Sequence, residues 1–199
     1  MAKKESSEVR RQQIADAALT VIARSGLARL TAAEIAKEVG ISDGGLFRHF
    51  PDKQAIIMAA IERAEELLFE HLPDAANPLV RLREFFLQRV SQLHGRAGIA
   101  RILFSDQLTH AAGHQGAQRV AAIKLRSLAF IRTCLSEAKA SGLLRAGSVA
   151  EDLIMIIQGT ALAFAFLGQD SATKKISPAR IARVWSSLED IIGNDIAGR

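Results

Sequence analysis

The residues best suited to binding chemistry lie in a short stretch from Asp43 to His49. Arg48 and His49 are adjacent donors of the kind that contact guanine edges and phosphate groups. Asp43 can accept a hydrogen bond from a cytosine amine, whereas it would repel a nearby phosphate. Side chains of these types suit contacts with double-stranded DNA, provided that the surrounding chain presents them to a groove.

Two consecutive glycines, Gly44 and Gly45, lie in what reads as the first turn of the same helix. Each glycine costs a helix about 1 kcal/mol relative to alanine, so a purely structural helix gains nothing from them. We expect them to let the helix end approach the floor of a DNA groove. The alternative is that both belong to a loosely formed turn.

Two short helices joined by a tight turn must position these residues. Thr31 and Glu34 form a capping box that starts the first helix, and Gly40 is suited to ending it. Ser42 can cap the second helix. Two helices of about two turns, joined by a Gly-containing turn, form a helix-turn-helix, whose second helix enters a DNA major groove.

The stretch from Thr31 to Lys53 resembles the DNA-binding region of the TetR family of bacterial transcription regulators. The family pattern resembles T-x-x-x-I-A-x-x-x-G-[VI]-S-x-x-x-[LI]-[YF]-x-H-F-x-x-K, matched here by Thr31, Ile35, Ala36, Gly40, Ile41, Ser42, Leu46, Phe47, His49, Phe50 and Lys53. The resemblance implies a phosphate contact at Lys53. Phe47 departs from the commoner tyrosine, so the phosphate bond of that hydroxyl is absent here. The predicted DNA-binding residues are Thr31, Ala32, Ala33, Ser42, Asp43, Gly44, Gly45, Phe47, Arg48, His49 and Lys53.

The rest of the sequence predicts an all-α protein of about nine helices, as in the resembling family. The remaining helices are expected over residues 9–24, 52–71, 78–94, 99–108, 118–141, 148–168 and 178–192. Residues 1–52 form the predicted DNA-binding domain, and residues 53–199 the effector-binding and dimerisation domain. The N-terminal arm, with Lys3, Lys4, Arg10 and Arg11, is expected to supply phosphate or minor-groove contacts, unless it is only a solvated tail.

Composition narrows the class of protein. Apolar residues make up 49% of the chain, and the net charge is +5 with a pI of about 9.8, as nucleic-acid binders often show. The basic excess is not concentrated near the helix-turn-helix, so the prediction of DNA binding rests on the motif. One cysteine, no signal-peptide pattern and no apolar run long enough for a membrane predict a cytoplasmic, nucleoid-associated protein with no membrane partner.

Aromatic side chains in the C-terminal part predict a place for a small molecule. In the resembling family the corresponding helices enclose an effector cavity, and such cavities need aromatic walls with a few polar groups. The expected effector is small and largely apolar, although core packing is the alternative for each residue. The predicted pocket residues are Phe85, Phe86, Phe104, Phe130, Met155 and Gln158.

The last two predicted helices carry more apolar surface than one small core needs. The resemblance implies that they pair with their two-fold mates in a homodimer bound to a palindromic operator; the alternative is that both are core helices of a monomer. The predicted interface residues are Gly159, Ala163, Ile181, Val184, Trp185, Leu188 and Ile192.

Other kinds of site have little support. Asp106, His110 and His114 could share a helix face and hold a metal, but Gly113 predicts a break between them. Cys134 lies in an apolar helix, where a thiol is usually inert packing. We therefore predict no metal, cofactor or catalysis. The predicted function is that of a ligand-released repressor. One alternative is a DNA-binding protein of the nucleoid-occlusion type, with a protein partner and no small effector. The other is a helical-bundle enzyme, which would need a catalytic cluster that the sequence does not show.

Overall fold

The computed structural model describes residues 6–167 and 176–193, and this part of the chain is helical without a β-strand. A 3₁₀ helix covers Leu27–Arg29. The α-helices are α1 (Ser7–Ser25), α2 (Ala32–Val39), α3 (Asp43–Phe47), α4 (Lys53–Phe69), α5 (Pro78–Gly95), α6 (Ala97–Leu103), α7 (Leu108–Ala140), α8 (Ala150–Phe166) and α9 (Pro178–Ile192). The predicted all-α class is confirmed.

Side-chain caps start several of these helices where the sequence predicts them. Asn77 Oδ1 accepts from the backbone N–H of Leu79 at 2.9 Å, and Ser177 Oγ accepts from that of Arg180 at 3.2 Å. The capping box predicted at Ser148 is wrong. Helix α8 begins after Val149 without a side-chain cap, because the N–H of Ser148 turns back to the Arg145 carbonyl at 3.1 Å.

Helix α7 begins ten residues earlier than predicted. Gly113 breaks the helical backbone as expected, with φ 67° and ψ −175°, but the residues before it and after it are helical. Gln54 donates to the Ala112 carbonyl at 3.3 Å, beside the break. Because of the break, Asp106, His110 and His114 do not share one continuous helix face.

The helices pack into two compact units. The first unit contains α1 to α4, α6 and the start of α7, and the second contains α5, the rest of α7, α8 and α9. The domain boundary predicted at residue 53 is a functional division and stays a prediction. Within the first unit α1 packs against α2, α4 and α6. Helix α6 approaches α1 so closely that a Cβ at Gly98 would lie 2.0 Å from the Leu19 carbonyl oxygen.

Aromatic and aliphatic side chains fill the core of the second unit. The ring of Phe86 lies 5.2 Å from Trp185 and 6.5 Å from Phe164, between centroids. Ile154, Ile157 and Leu188 belong to the same core. Cys134 is buried there, and burial raises the pKa of its thiol, which fits the predicted packing role.

Candidate functional site

The turn between α2 and α3 has the geometry that the sequence predicts. Thr31 Oγ1 accepts from the Glu34 N–H at 3.2 Å and starts α2. Gly40 adopts the left-handed conformation, with φ 78° and ψ 35°. The N–H groups of Gly40 and Ile41 return to the carbonyls of Lys37 and Ala36 at 3.3 and 3.0 Å, which is a Schellman motif. The backbone itself therefore fixes where α3 begins.

Helix α3 presents its polar side chains to solvent, on the side opposite the apolar residues that anchor it. Leu46 and Phe50 are almost completely buried, whereas Asp43, Gly44 and Arg48 are exposed. Arg48 is the residue that ends the helix. The outward side of this short helix therefore carries a carboxylate near its start and a guanidinium at its end.

The first turn of α3 separates the roles of the two glycines. Ser42 Oγ accepts from the Gly45 N–H at 3.1 Å, and a Cβ at Gly45 would lie 3.3 Å from that same oxygen. A Cβ at Gly44 would meet no atom within 4 Å. The chain's own packing gives a reason for glycine at position 45 and none for glycine at position 44.

The end of α3 is fastened to α1 by a residue that sequence reasoning assigned elsewhere. The Arg11 guanidinium donates to the His49 carbonyl and lies over the Phe50 ring, 4.2 Å from its centroid. The Ser7 hydroxyl lies 3.5 Å from His49 Nδ1. Arg11, predicted to contact DNA from the arm, therefore holds the end of α3 within the chain, and its contact with DNA stays a prediction. Lys3 and Lys4 lie outside the described residues.

The start of α4 brings Lys53 to the start of α2. Asp52 Oδ1 caps α4 by accepting from the Ala55 N–H at 2.7 Å. Lys53 Nζ donates to the Leu30 carbonyl at 3.4 Å, and Leu30 directly precedes the capping residue Thr31. An ammonium group and a helix N-terminus both favour a negative charge, so a phosphate fits here.

The remaining predicted DNA-binding residues lie on the same two helices. Ala32 and Ala33 form the first turn of α2. Phe47 is 45% exposed on α3, although it is apolar.

The predicted pocket residues fall into three groups. Phe85 and Phe130 stack in the second unit with ring centroids 4.5 Å apart, and Phe86 belongs to the core beside them. Gln158 is half-buried, whereas Met155 is 74% exposed on α8. Phe104 belongs to the first unit and is exposed. The second unit therefore brings together three of the four predicted aromatic residues, but not Phe104, which lies in the first unit, or the exposed Met155.

The interface residues predicted on α9 are mostly inside the chain. Ile181, Trp185, Leu188 and Ile192 are buried in the core of the second unit, and Val184 is half-buried. Packing within one chain accounts for the four buried side chains, so the prediction that they face a partner needs correcting. For Val184 the partner contact stays a prediction.

Helix α8 instead carries the apolar surface that one chain leaves uncovered. Gly159 and Ala163 are exposed there, together with three large side chains, Met155, Ile156 and Phe166. The spacing of these five residues places them on one stripe of the helix.

Sequence reasoning missed one charged residue in the second unit. Arg89 is buried, with 8% of its surface exposed. Its position in the repeat of buried residues on α5, after Leu82, Phe85 and Phe86, is the signal that could have revealed it.

Two observations on the described residues concern other kinds of site. No cluster of three or more His, Cys, Asp or Glu side chains is arranged to hold a metal ion within the described ranges. In the same part of the chain, every helix is too short or too polar to cross a membrane.

Comparison with known sequences matches the N-terminal region to one family. Residues 14–60 match the family described as bacterial regulatory proteins, tetR family. The nucleoid occlusion factor SlmA of Marinomonas sp. is 33% identical over 103 residues, which are 50% of this chain and 52% of that protein. SlmA of Mannheimia succiniciproducens is 32% identical over 115 residues, 53% and 51% of the two chains. The chain thus spans about half the length of the curated relatives it matches.

Comparison with solved structures matches nearly the whole chain. The ketosteroid transcriptional regulator KstR2 of Mycobacterium tuberculosis superposes with a TM-score of 0.79 at 17% identity, covering 94% of this chain and 96% of that one. FadR of Bacillus subtilis, solved in complex with stearoyl-CoA, gives 0.67 at 23% identity, covering 90% and 96%. At these identities the likeness describes the fold.

Proposed function

We propose that this chain, whose residues 14–60 match the tetR family of bacterial regulatory proteins, is a DNA-binding transcription regulator with a specific mode of action. It binds a palindromic operator as a homodimer, acts as a repressor, and is released by a small, largely apolar effector. The observation that carries the proposal is the exposed face of α3, with Asp43, Gly44 and Arg48 turned away from a buried anchor of Leu46 and Phe50.

The proposed DNA contacts are of two kinds: some hold phosphate groups and position the protein, and others recognise the base sequence. Thr31, at the start of α2, and Lys53 hold phosphates, and the exposed residues of α3 enter the major groove. Arg48 is the longest donor on that face, and a bidentate arginine–guanine contact is typically worth about 1–3 kcal/mol of discrimination. Asp43 selects against some sites, since its carboxylate cannot lie beside a phosphate.

The proposed dimer forms through α8. An apolar stripe exposed on a single chain is unfavourable in water, and a two-fold copy of the same stripe covers it. Gly159 and Ala163 are small enough to let the two helices approach closely. Helix-turn-helix regulators bind two half-sites in this symmetric way.

The proposed effector acts by a difference in affinity. It must bind more tightly to a form of the dimer in which the two recognition helices no longer match the spacing of the half-sites. The stacked pair Phe85 and Phe130 supplies an apolar wall for it. The solved complex of FadR with stearoyl-CoA supports an effector with a large apolar part.

A second candidate function has its own support. About half of the chain is similar to nucleoid occlusion factors, so the same DNA-binding surface could serve a protein partner with no small effector. This candidate predicts that apolar compounds change neither the melting temperature nor the operator affinity, and that DNA-bound protein recruits another protein.

The proposed function is tested on the purified chain with an operator selected from random DNA. A panel of apolar compounds is screened by thermal shift, and each compound that raises the melting temperature is titrated by calorimetry with and without operator. The proposal expects the operator to weaken compound binding by the same factor as the compound weakens operator binding. A compound whose affinity is the same with and without operator is not the effector. If no compound in the panel shows a difference, the second candidate is favoured.

A further inference from the structure

The hydroxyl group of Thr31 is fully used inside the chain. Thr31 Oγ1 accepts from the Glu34 N–H at 3.2 Å, and the same hydroxyl donates to Glu34 Oε2 at 3.2 Å. A threonine hydroxyl has a single proton to donate, and an ionised carboxylate can only accept. The capping box of α2 therefore leaves this hydroxyl without a proton for a DNA phosphate.

The same capping box brings a negative charge to the place where the proposed function puts a phosphate. Thr31 directly follows Leu30, whose carbonyl accepts from Lys53 Nζ at 3.4 Å. The Lys53 ammonium and the Glu34 carboxylate are thus held by neighbouring residues. Because the two charges act on a phosphate with opposite signs, Lys53 alone attracts it only weakly.

Arg29 is an exposed cation next to this position. It ends the 3₁₀ helix Leu27–Arg29 and is separated from Thr31 only by Leu30. Leu27 and Leu30 are buried, and side chains three residues apart in a 3₁₀ helix lie on one side of it. This apolar pair anchors the turn, so the Arg29 side chain is left on the solvent side.

The guanidinium of Arg29 keeps its donors for another molecule. In the described part of the chain, this side chain has no hydrogen-bond or ion-pair partner. Arg24, in contrast, pairs with Glu38 at 3.0 Å, and Arg11 donates to the His49 carbonyl. A guanidinium presents its N–H groups as a planar fork that matches the oxygens of a phosphate.

We propose that Arg29 is a further DNA contact, which together with Lys53 holds the backbone phosphate at the start of α2, in place of the Thr31 hydroxyl. The inference rests on the proposed function, because it assigns one more residue to the same DNA-binding surface. Arg29 positions the protein and reads no bases, since phosphate contacts carry no sequence information. The charge of Glu34 opposes the contact.

The first test measures operator affinity by fluorescence anisotropy over a range of salt concentrations. The full-length wild type is compared with Arg29→Met, Arg29→Lys and Glu34→Gln, and thermal melts establish that each variant is folded. Arg83→Met is the matched control, because Arg83 is also exposed and without a partner in the described residues, but lies on α5 in the second unit.

Arg29→Met is expected to bind operator about fivefold more weakly for each half-site, with a salt slope smaller by about one unit. Arg29→Lys should keep the slope, and Arg83→Met should bind as the wild type does. Glu34→Gln retains the capping box and should bind about twofold to fivefold more tightly, because it removes a repulsive charge.

A second measurement locates the contact on the DNA. Operators that carry one neutral methylphosphonate linkage, placed in turn at each backbone position, are titrated with the wild type and Arg29→Met. The wild type should lose affinity at the contacted phosphate of each half-site, and Arg29→Met should lose clearly less there. An unchanged salt slope for Arg29→Met, an equal change for Arg83→Met, or the same methylphosphonate profile for both proteins would each overturn the inference.

The same experiments separate this inference from the proposed function. A wild type that binds the operator no better than unrelated DNA contradicts the proposed reading of sequence, whatever Arg29 does. A wild type that prefers its operator, with an Arg29→Met variant that binds identically, contradicts only the assignment of Arg29.

Discussion

Gly44→Ala should make this protein more stable and a poorer DNA binder. Gly44 is exposed in the first turn of α3, and a Cβ there would meet no atom within 4 Å. Alanine can therefore be added without a clash inside the chain. If glycine is present because α3 lies close to the groove floor, the added methyl group meets DNA instead.

The two effects have opposite signs and measurable sizes. Replacing a helical glycine by alanine stabilises by up to about 1 kcal/mol, which raises the melting temperature of a chain of this length by about 2–4 °C. Pushing α3 away from the groove weakens its base contacts, which are worth about 1–3 kcal/mol each, so operator affinity should fall about tenfold or more. Thermal melts and fluorescence anisotropy with labelled operator measure the two quantities on one preparation.

Gly95→Ala is the matched control for this prediction. Gly95 lies in α5, a Cβ added to it would meet no atom within 4 Å, and its φ is not positive. This variant should gain stability in the same way while binding operator as the wild type does. The reasoning is refuted if Gly44→Ala binds operator like the wild type, or if both variants lose affinity alike.

Two further predictions follow from the described contacts. Met155→Glu should convert the proposed dimer to monomers in light scattering, because it places a charge in the apolar stripe of α8. Val9→Glu, at another exposed apolar position, should remain dimeric. A dimeric Met155→Glu would contradict the proposed interface. If Arg11 acts only by positioning α3, Arg11→Ala should weaken operator binding without changing its salt dependence. A smaller salt slope would identify a phosphate contact instead.

The helix-turn-helix could be predicted closely because its determinants are local. Thr31, Gly40, Ser42 and Asp52 each act on backbone groups within a few residues of themselves. A cap at Ser148 was equally plausible from sequence. The predicted cap is absent because the Ser148 N–H forms a turn to the Arg145 carbonyl instead. Sequence patterns do not show which of two such local hydrogen bonds forms.

The packing partners of apolar faces could not be predicted in the same way. Periodicity indicates which face of α9 is covered but not what covers it. It therefore allows Trp185 and Leu188 to contact a second chain, whereas the core of the second unit covers them. Arg11 shows the same limit for charged residues. A basic residue near a DNA-binding helix suggests a phosphate contact, and only the folded chain places its guanidinium on Phe50.

The central claim is that α3 reads DNA sequence through Arg48 while Lys53 only positions the protein. The most direct test is selection of binding sites from random DNA by the wild type, Arg48→Ala and Lys53→Ala, followed by salt titrations on the selected operator. We predict a palindromic site for the wild type and loss of base preference at one or two positions of each half-site for Arg48→Ala. For Lys53→Ala we predict an unchanged site with a salt slope lower by about one unit. An Arg48→Ala protein that selects the wild-type site would contradict the claim, because Arg48 would then be a phosphate contact.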